Sequence, residues 1–464
     1  MQSILRSVRI SVVIGLLFFS VQAQQRNTFQ GSIPSGPVSA TPLVLGLNDA
    51  IQRGLQFNLG LLESQTASDT ARAERIQALS ALLPQISGTF TQSEEQLNLK
   101  TFGFSFAPNP YITIPEIVGP FSFANAQADV SAKILDWNAR RNLKSAKANE
   151  QASQLSVQNS RDLVVQAVAN AYLLVLADAS RVAADRAQVE TDQALYQRTA
   201  DQKTAGLAAG IDVLRAQVQL KIQQQILLAQ QNQYDKDKLA LGRVIGLPPA
   251  QRFQLADTLP FSKISQVTEE QALHTALDRR PDYKSAQKMV KAAEESVAAA
   301  HAEWYPTVDL SGYYGVSGPS LANSHGVFLV TGALNFNIYT GGRIHADVEK
   351  AKAALEQRSD ELADLSAQIE FEVRSAFLDL QSSADQVAVA QDNLKLANQT
   401  LEQSRDRFTA GVTDNIEVVQ AQGSVATAND NLIGALYANN VAKVELAKAM
   451  GMAEQGVKLF IEVK

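Results

Sequence analysis

A ladder of apolar residues repeating every seven positions runs through residues 343–450 and limits what this chain can fold into. Val373, Leu380, Val387, Leu394, Leu401 and Phe408 recur at that interval, and Ala376, Ser383, Ala390, Ala397 and Ser404 fill the smaller position between them. Large and small knobs at 3,4 spacing keep one stripe of a helix turned toward a partner. After Thr409-Ala410-Gly411-Val412-Thr413 the ladder resumes as Val418, Val425, Leu432 and Leu446 against Ala421, Ala428, Ala435, Ala442 and Ala449. Two helical arms joined by a glycine turn are predicted, with Leu394 as a buried knob. Neither proline nor glycine interrupts the first arm, so at ~1.5 Å rise per residue it extends for roughly 100 Å. A cytosolic coiled-coil rod would carry the same pattern, and the rest of the chain argues against one.

Residues 1–23 hold Arg6 and Arg9, an apolar run over 10–19, and Val21-Gln22-Ala23. That is the pattern of a secretory signal peptide, the run being far short of the ~20 residues a spanning helix needs. Its removal takes the formal charge from -6 to -8. An exported, mildly acidic protein does not point to nucleic acid as a partner. The chain has no cysteine, so disulfides, thiolate chemistry and a lipid on an N-terminal Cys are excluded. Residues 24–42, rich in Gln, Asn, Ser, Gly and Pro, read as a disordered lead-in.

The mature chain has no run of 18 consecutive apolar residues, so a membrane crossing would have to use strands. Four runs alternate. Ile86, Gly88 and Phe90 oppose Ser87, Thr89 and Thr91, and Ala126, Ala128, Val130, Ala132 and Ile134 oppose Gln127, Asp129, Ser131 and Lys133. Val308, Leu310, Gly312, Tyr314 and Val316 oppose Asp309, Ser311, Tyr313 and Gly315. In the fourth run Phe328, Val330, Gly332, Leu334, Phe336 and Ile338 oppose Leu329, Thr331, Ala333, Asn335 and Asn337. Half-buried hairpins of a soluble domain would alternate in the same way. Trp137, Trp304, Tyr305 and Tyr339 shift the balance, because they gather at the helix-proximal ends, where membrane-interface aromatics belong. Four strands cannot close a barrel, and an open edge in hydrocarbon leaves backbone groups unpaired. Oligomerisation is implied: two chains would supply eight strands, three would supply twelve.

The chain is also an internal repeat. Ala50 and Pro84 return as Ala272 and Pro306 at an offset of 222, while Ala171-Tyr172, Ala205-Gly206 and Ile211-Asp212-Val213 return as Ala376-Phe377, Ala410-Gly411 and Ile416-Glu417-Val418 at an offset of 205. A first repeat, 43–250, holds helices, a β-hairpin at 84–136 and a coiled-coil hairpin at 139–246. Residues 251–267 form an inter-repeat collar. A second repeat, 268–451, holds a β-hairpin at 306–340 and a coiled-coil hairpin at 342–450. Residues 452–464 form a terminal strand or tail. The offset difference lies in a longer first-hairpin loop bearing Phe102, Phe104 and Phe106.

At this point the sequence resembles the TolC-like outer-membrane factor family over nearly the whole mature chain. The resemblance rests on the duplication, on Leu47-Asn48-Asp49-Ala50, on Thr268-Glu269-Glu270-Gln271-Ala272-Leu273, on Arg280-Pro281-Asp282, on Trp304-Tyr305-Pro306 and on the hairpin tips. It implies a mainly α fold with a membrane β-barrel: a homotrimer whose long helical hairpins build a periplasmic α-barrel and whose four strands per chain build a 12-stranded barrel in outer-membrane lipid. It implies an outer-membrane channel of a tripartite efflux or type I secretion system, opened by a periplasmic adaptor and an inner-membrane transporter. Matched by residue, the adaptor-docking tips are Gly206, Leu207, Asp212 and Val213, with Gly411, Val412, Glu417 and Val418. The periplasmic gate falls on Glu417 and Gln420, where the family often has two acids. Asn58-Leu59 departs from the proline that Pro281 keeps.

Catalysis finds no support: His274, His301, His325 and His345 show no paired spacing, and no GxSxG or phosphate-loop pattern occurs. No cofactor or metal is expected. The competing reading is a periplasmic coiled-coil adaptor or scaffold without a pore.

Overall fold

The computed structural model describes residues 28–103, 115–262, 268–413 and 415–461. The signal-peptide reading of residues 1–23, Phe104 and Phe106 lie outside them. Strand β1 (Leu43–Leu45) leads into α1 (Leu47–Phe57), α2 (Leu59–Ser80), β2 (Gln85–Asn98), β3 (Ile117–Leu135), α3 (Trp137–Thr204) and α4 (Gly210–Val244). Strand β4 (Phe253–Leu255) precedes α5 (Glu269–Arg279), α6 (Pro281–Ala302), β5 (Thr307–Gly318), β6 (His325–Asn335), α7 (Arg343–Thr409), α8 (Asn415–Ala449) and α9 (Ala453–Phe460).

The long arms α3 and α7 are 68 and 67 residues, but their partners α4 and α8 are 35 each. Half of each long helix therefore needs another cover, and the shorter helices supply it. Helix α6 lies against α3 through buried Ala148, Ala152, Ala292 and Ala299. Across that contact Ser285 Oγ donates to Ala152 O at 2.8 Å and Arg141 pairs with Glu295 at 2.8 Å. Small side chains allow close helix approach, and α6 belongs to the second repeat while α3 belongs to the first. The repeats interlock rather than form separate bodies.

The largest core cluster sits midway along α3, where Val164, Val165, Val168, Tyr172, Leu173 and Leu176 meet Ile51, Leu241, Phe253 and Val444. One window of α3 is apolar enough to cross a membrane, yet 56% of it is buried inside the chain. It is core. The Tyr172 hydroxyl, fully enclosed, donates toward Asp257 Oδ2 at 2.6 Å, which also accepts from Leu47 N at 2.9 Å. Strands β1 and β4 pair in parallel beside this cluster.

Three expectations need correction. The lead-in is ordered from residue 28: Ile33 N donates to Phe57 O at 2.9 Å, Ser35 N to Gly246 O at 3.0 Å, and Phe29 fills the space beside Gly60. Asn58 holds this segment by donating to Phe29 O at 2.8 Å while its Oδ1 caps Gly60 N, a use for asparagine that proline could not serve. The C-terminal segment is helical rather than a strand or tail, since Ala453, Val457 and Ile461 bury at i, i+4, i+8 spacing. Leu394 is only half-buried at the margin of its cluster, whereas Val387 and Leu401 are buried.

The four long strands form one antiparallel sheet in the order β2-β3-β5-β6. Its register brings the alternating runs together: Ile86, Val130, Gly312 and Val330 align across one face, as do Ala128, Tyr314 and Phe328. On the other face Ser131, Ser311 and Thr331 align, and Asn335 donates to Asp309 at 2.7 Å. A bulge between Lys133 and Leu135 leaves Ile134 out of the ladder, and β6 ends at Asn335, before Phe336 and Ile338. The reason lies in the partner: β5 begins only after Pro306, which has no N–H to donate. Strands β2 and β6 keep free outer edges within the chain.

Candidate functional site

The two hairpin tips are built alike. At the first, Gly206 N donates to Lys203 O at 3.0 Å and Leu207 N to Gln202 O at 2.8 Å; at the second, Gly411 N donates to Phe408 O at 3.1 Å and Val412 N to Arg407 O at 3.0 Å. This pair of bonds closes the last helical turn and demands a left-handed residue, which Gly206 (φ 74°) and Gly411 (φ 71°) supply. The residue that follows each glycine is thrust outward, so Leu207 is 80% and Val412 70% exposed.

Below the tips, α4 and α8 flank a groove of about 500 Å³ lined by Ile211, Leu214, Val218, Ile416 and Val419, with Arg215 and Gln420 at its polar margins. Ile211, Leu214 and Val218 recur at 3 and 4 residues but lie off the seam and are exposed. Uncovered apolar stripes of this kind mark docking faces. The sequence carried the signal, an i, i+3, i+7 stripe running beside the buried positions Ala216 and Leu220.

The tips are tied to each other by a contact that no motif announced. Asn415, the fully buried first residue of α8, donates from Nδ2 to Asp212 O in the first turn of α4 at 2.9 Å. Its counterpart at the repeat offset is Gly210, so the duplication gave no hint. Asp212 itself pairs with Arg215 at 3.4 Å, and Val213 is half-buried.

Glu417 sits in the first turn of α8, where a carboxylate is favoured by the helix dipole, and pairs with Arg407 at 3.5 Å. Arg407 reaches it, not Arg405. Gln420 is exposed one turn further on. Val418, matched to the docking tip by sequence, is buried instead with Leu401, Ala421 and Val425, and Leu195 of α3 packs on the same cluster. Val418 is a seam residue and offers nothing to a partner. The physical reason is phase: Ile416 and Val419 turn toward the groove, and Val418 turns away from it.

At the far end, Trp137, Trp304, Tyr305 and Tyr339 are all partly or largely exposed around the junction of helices and sheet. The Arg140 guanidinium lies 5.3 Å from the Trp137 ring centre. Between the two ends, Arg280, only 3% exposed, joins α6 to α7. It donates to Asp282 at 2.6 and 3.1 Å and to Glu372 at 2.6 Å, and Lys448 of α8 adds a 3.0 Å contact to Glu372. Burial alone would raise the Asp282 and Glu372 carboxyls, but the Arg280 bonds and charge outweigh it and hold both below the usual carboxylate range.

A family model described as outer membrane efflux protein matches residues 50–247 and 272–452, one block in each repeat. The toluene efflux pump outer membrane protein TtgC of Pseudomonas putida is 26% identical over 434 residues, spanning 87% of this chain and 82% of that protein. The pyoverdine export outer membrane protein OpmQ of Pseudomonas aeruginosa is 25% identical over 416 residues, spanning 87% of this chain and 85% of that protein. Among solved structures, the Campylobacter jejuni CmeC outer membrane channel superposes with a TM-score of 0.76 at 16% identity over 92% of both chains. The open state of the Neisseria gonorrhoeae MtrE outer membrane channel gives 0.73 at 18% identity, over 90% of this chain and 94% of that one. At such identities the structures speak to the fold.

Proposed function

The chain belongs to the outer membrane efflux protein family, and we propose from that premise how its two ends divide the work. It is an outer-membrane efflux channel that extends into the periplasm: a trimer in which three four-stranded sheets close a twelve-stranded barrel and the helical hairpins form an α-barrel. A pore-less periplasmic scaffold is not tenable for a member of this family. Such a channel acts with adaptor and transporter partners.

In our reading the adaptor docks on the hairpin tips. Leu207 and Val412 project from the apices, and the groove between Ile211, Leu214 and Val218 on one wall and Ile416 and Val419 on the other accepts the apolar stripe of a helix. The observation that carries this is the groove itself, an apolar surface left uncovered between α4 and α8 directly below the two apices. The fork of Gly206 and Gly411 sets the height of the two apices. Gating belongs to Glu417, with Gln420 a turn away: three copies of Glu417 around the axis attract cations into a narrow end, each steadied by its Arg407. The four junction aromatics sit at the lipid interface, the alternating sheet face meets lipid, and the conduit is passive, with no chemical step of its own.

Two variants test this. Leu214→Asp places a charge in the groove without touching the seam, so export in cells should fall while trimer assembly and membrane insertion stay normal; undiminished export would refute the docking face. Glu417→Gln should weaken cation selectivity of single channels in planar bilayers, and unchanged selectivity would return Glu417 to the role of a helix-terminus acid.

A further inference from the structure

The polar face of the sheet does not stay polar to its far end. Period-two alternation runs unbroken along β3 from Ser131 to Phe121, because its register with β2 shifts only beyond Glu95. With the Val130 face against lipid, the opposite face lines the lumen. Going away from the helices it carries Ser131, Asp129, Gln127 and Asn125, and then Phe123 and Phe121. A polar ladder thus ends in two aromatic rings, 43% and 37% exposed within the chain. They are no lipid girdle, for they point the wrong way. On the lipid face the neighbouring rungs set Gln92 opposite Ala124 and Glu94 opposite Ser122, so the apolar band has already ended there.

Two lumenal rungs set an aromatic ring beside a carboxylate. Midway along β5, Asp129 stands opposite Tyr313, which stands opposite Leu329. At the far end Glu95 stands opposite Phe121, with Phe123 opposite Ser93 two residues further in. Asp129 is held in position, since its Oδ1 accepts from Gln127 Nε2 at 2.8 Å and its Oδ2 from Thr89 Oγ1 at 3.2 Å. Residues directly opposite on neighbouring strands have Cβ atoms about 5 Å apart, so each pair offers a ring and a negative charge to the same ligand. Among the described residues of this face, Glu95, Asp129 and Asp309 outweigh Lys133 and His325, and Lys133 is taken by Asp136 at 2.9 Å. Twelve strands spaced ~4.8 Å apart and tilted about 40° enclose a barrel roughly 24 Å across between backbones. Three copies of each pair therefore narrow the passage without filling it.

We propose that these two rungs are successive stations for organic cations bearing an aromatic ring, on their way out of the barrel. The ring of the cargo rests first on Tyr313 and Leu329 and then on Phe121 and Phe123, while its charge lies beside Asp129 and then Glu95. Aromatic faces themselves attract cations, so ring and carboxylate act together. An aromatic anion is repelled at both stations, and a cation without a ring gains only the charge. Exposed contacts of this kind are individually weak, so cargo passes from one station to the next rather than being trapped. The proposal rests on the reading of the chain as an outer-membrane channel whose alternating apolar face meets lipid.

The experiment uses the full-length trimer in planar bilayers, with methyl viologen, a flat aromatic dication, added on the side of the barrel mouth. Block is read as a fraction of each channel's own potassium current. Methyl viologen should block at concentrations about tenfold below those needed for hexamethonium, a dication without rings, or for naphthalenedisulfonate, an aromatic dianion. Phe121→Ser combined with Phe123→Ser, Glu95→Gln and Tyr313→Ser should each weaken block by methyl viologen about threefold to tenfold. Glu94→Gln removes a charge from the opposite face of the same strand and should leave block as in wild type. Equal block by the three probes overturns the recognition of aromatic cations, and a station whose variants leave block unaltered is overturned with it. A loss as large in Glu94→Gln as in Glu95→Gln overturns the assignment to the lumenal face. A protein that conducts no ions overturns the channel reading and the stations together, whereas a conducting trimer indifferent to these changes overturns the stations alone.

Discussion

Arg280→Ala is expected to destabilise the chain by about 3 kcal/mol, because it strips the buried partner from two partly buried carboxylates. The structure says which carboxylate suffers more. Glu372 keeps Lys448 at 3.0 Å, but Asp282 keeps only the Tyr283 backbone N–H at 2.9 Å. Asp282, partly buried, is thus left with that N–H and the more distant charge of Lys448 as its compensation. Arg280→Lys retains a charge without the two-pronged geometry and should fall in between, while Arg280→Met restores apolar packing but strands the same carboxylates, so it should cost nearly as much as Arg280→Ala and separates ion pairing from packing. The assay is thermal unfolding of the detergent-solubilised trimer followed by circular dichroism, repeated down to acidic pH. Asp282 and Glu372 titrate below their ordinary values, so their contribution is present above the unfolded value of about 4 and is lost as pH falls through the lower folded values. Wild type should therefore lose more stability in that acid window than Arg280→Met. An Arg280→Ala variant within about 0.5 kcal/mol of wild type, the range of ordinary surface changes, would refute the reasoning.

Further outcomes can be checked in parallel. Arg at Val130, on the aligned apolar face, should cost about 2 to 4 kcal/mol near mid-membrane and far less at Ser131 on the opposite face; equal tolerance in refolding titrations would contradict a lipid-facing sheet. Asn415→Ala removes the bond to Asp212 O and should cost about 1 kcal/mol, read as faster proteolysis of the tips with the barrel unaffected. Asp162, raised to about 6 by burial and then by the nearby charges of Glu454 and Asp282, opposes folding once ionised. Stability should fall as pH rises from about 4 to 6 on its account, and Asp162→Asn should recover about 1 to 2 kcal/mol at neutral pH; a variant no more stable than wild type would refute this.

The elements that announce themselves in the sequence are those set by local periodicity. Val373 and Val387 bury because a seven-residue stripe forces them to, and Val130 aligns with Ile86 because alternation of period two leaves few registers. Duplication placed both glycine tips, since Gly206 and Gly411 solve the same turn. What stayed hidden depends on contacts between distant segments. Arg280 meets Glu372, Asn415 meets Asp212 and Tyr172 meets Asp257, and in the last case the repeat partner Phe377 lacks the hydroxyl altogether. For Val418 the heptad ladder and the family match disagree: the ladder puts it in the seam, where it lies, and the match puts it at the docking tip, one residue out of phase with Ile416 and Val419. The C-terminal helix escaped notice because eight residues are too few to display a period.

The free edges of β2 and β6 have a genetic consequence. A sheet that finds its missing hydrogen bonds only on neighbouring copies gives a single subunit no stable resting place in lipid, so each pore is only as sound as its worst third. If defective and intact subunits mix at random in equal amounts, only about one pore in eight is wholly intact in a three-fold ring. Mutations at these edges should therefore be dominant, silencing the product of a healthy gene copy in the same cell, whereas mutations confined to the outer surface should be recessive.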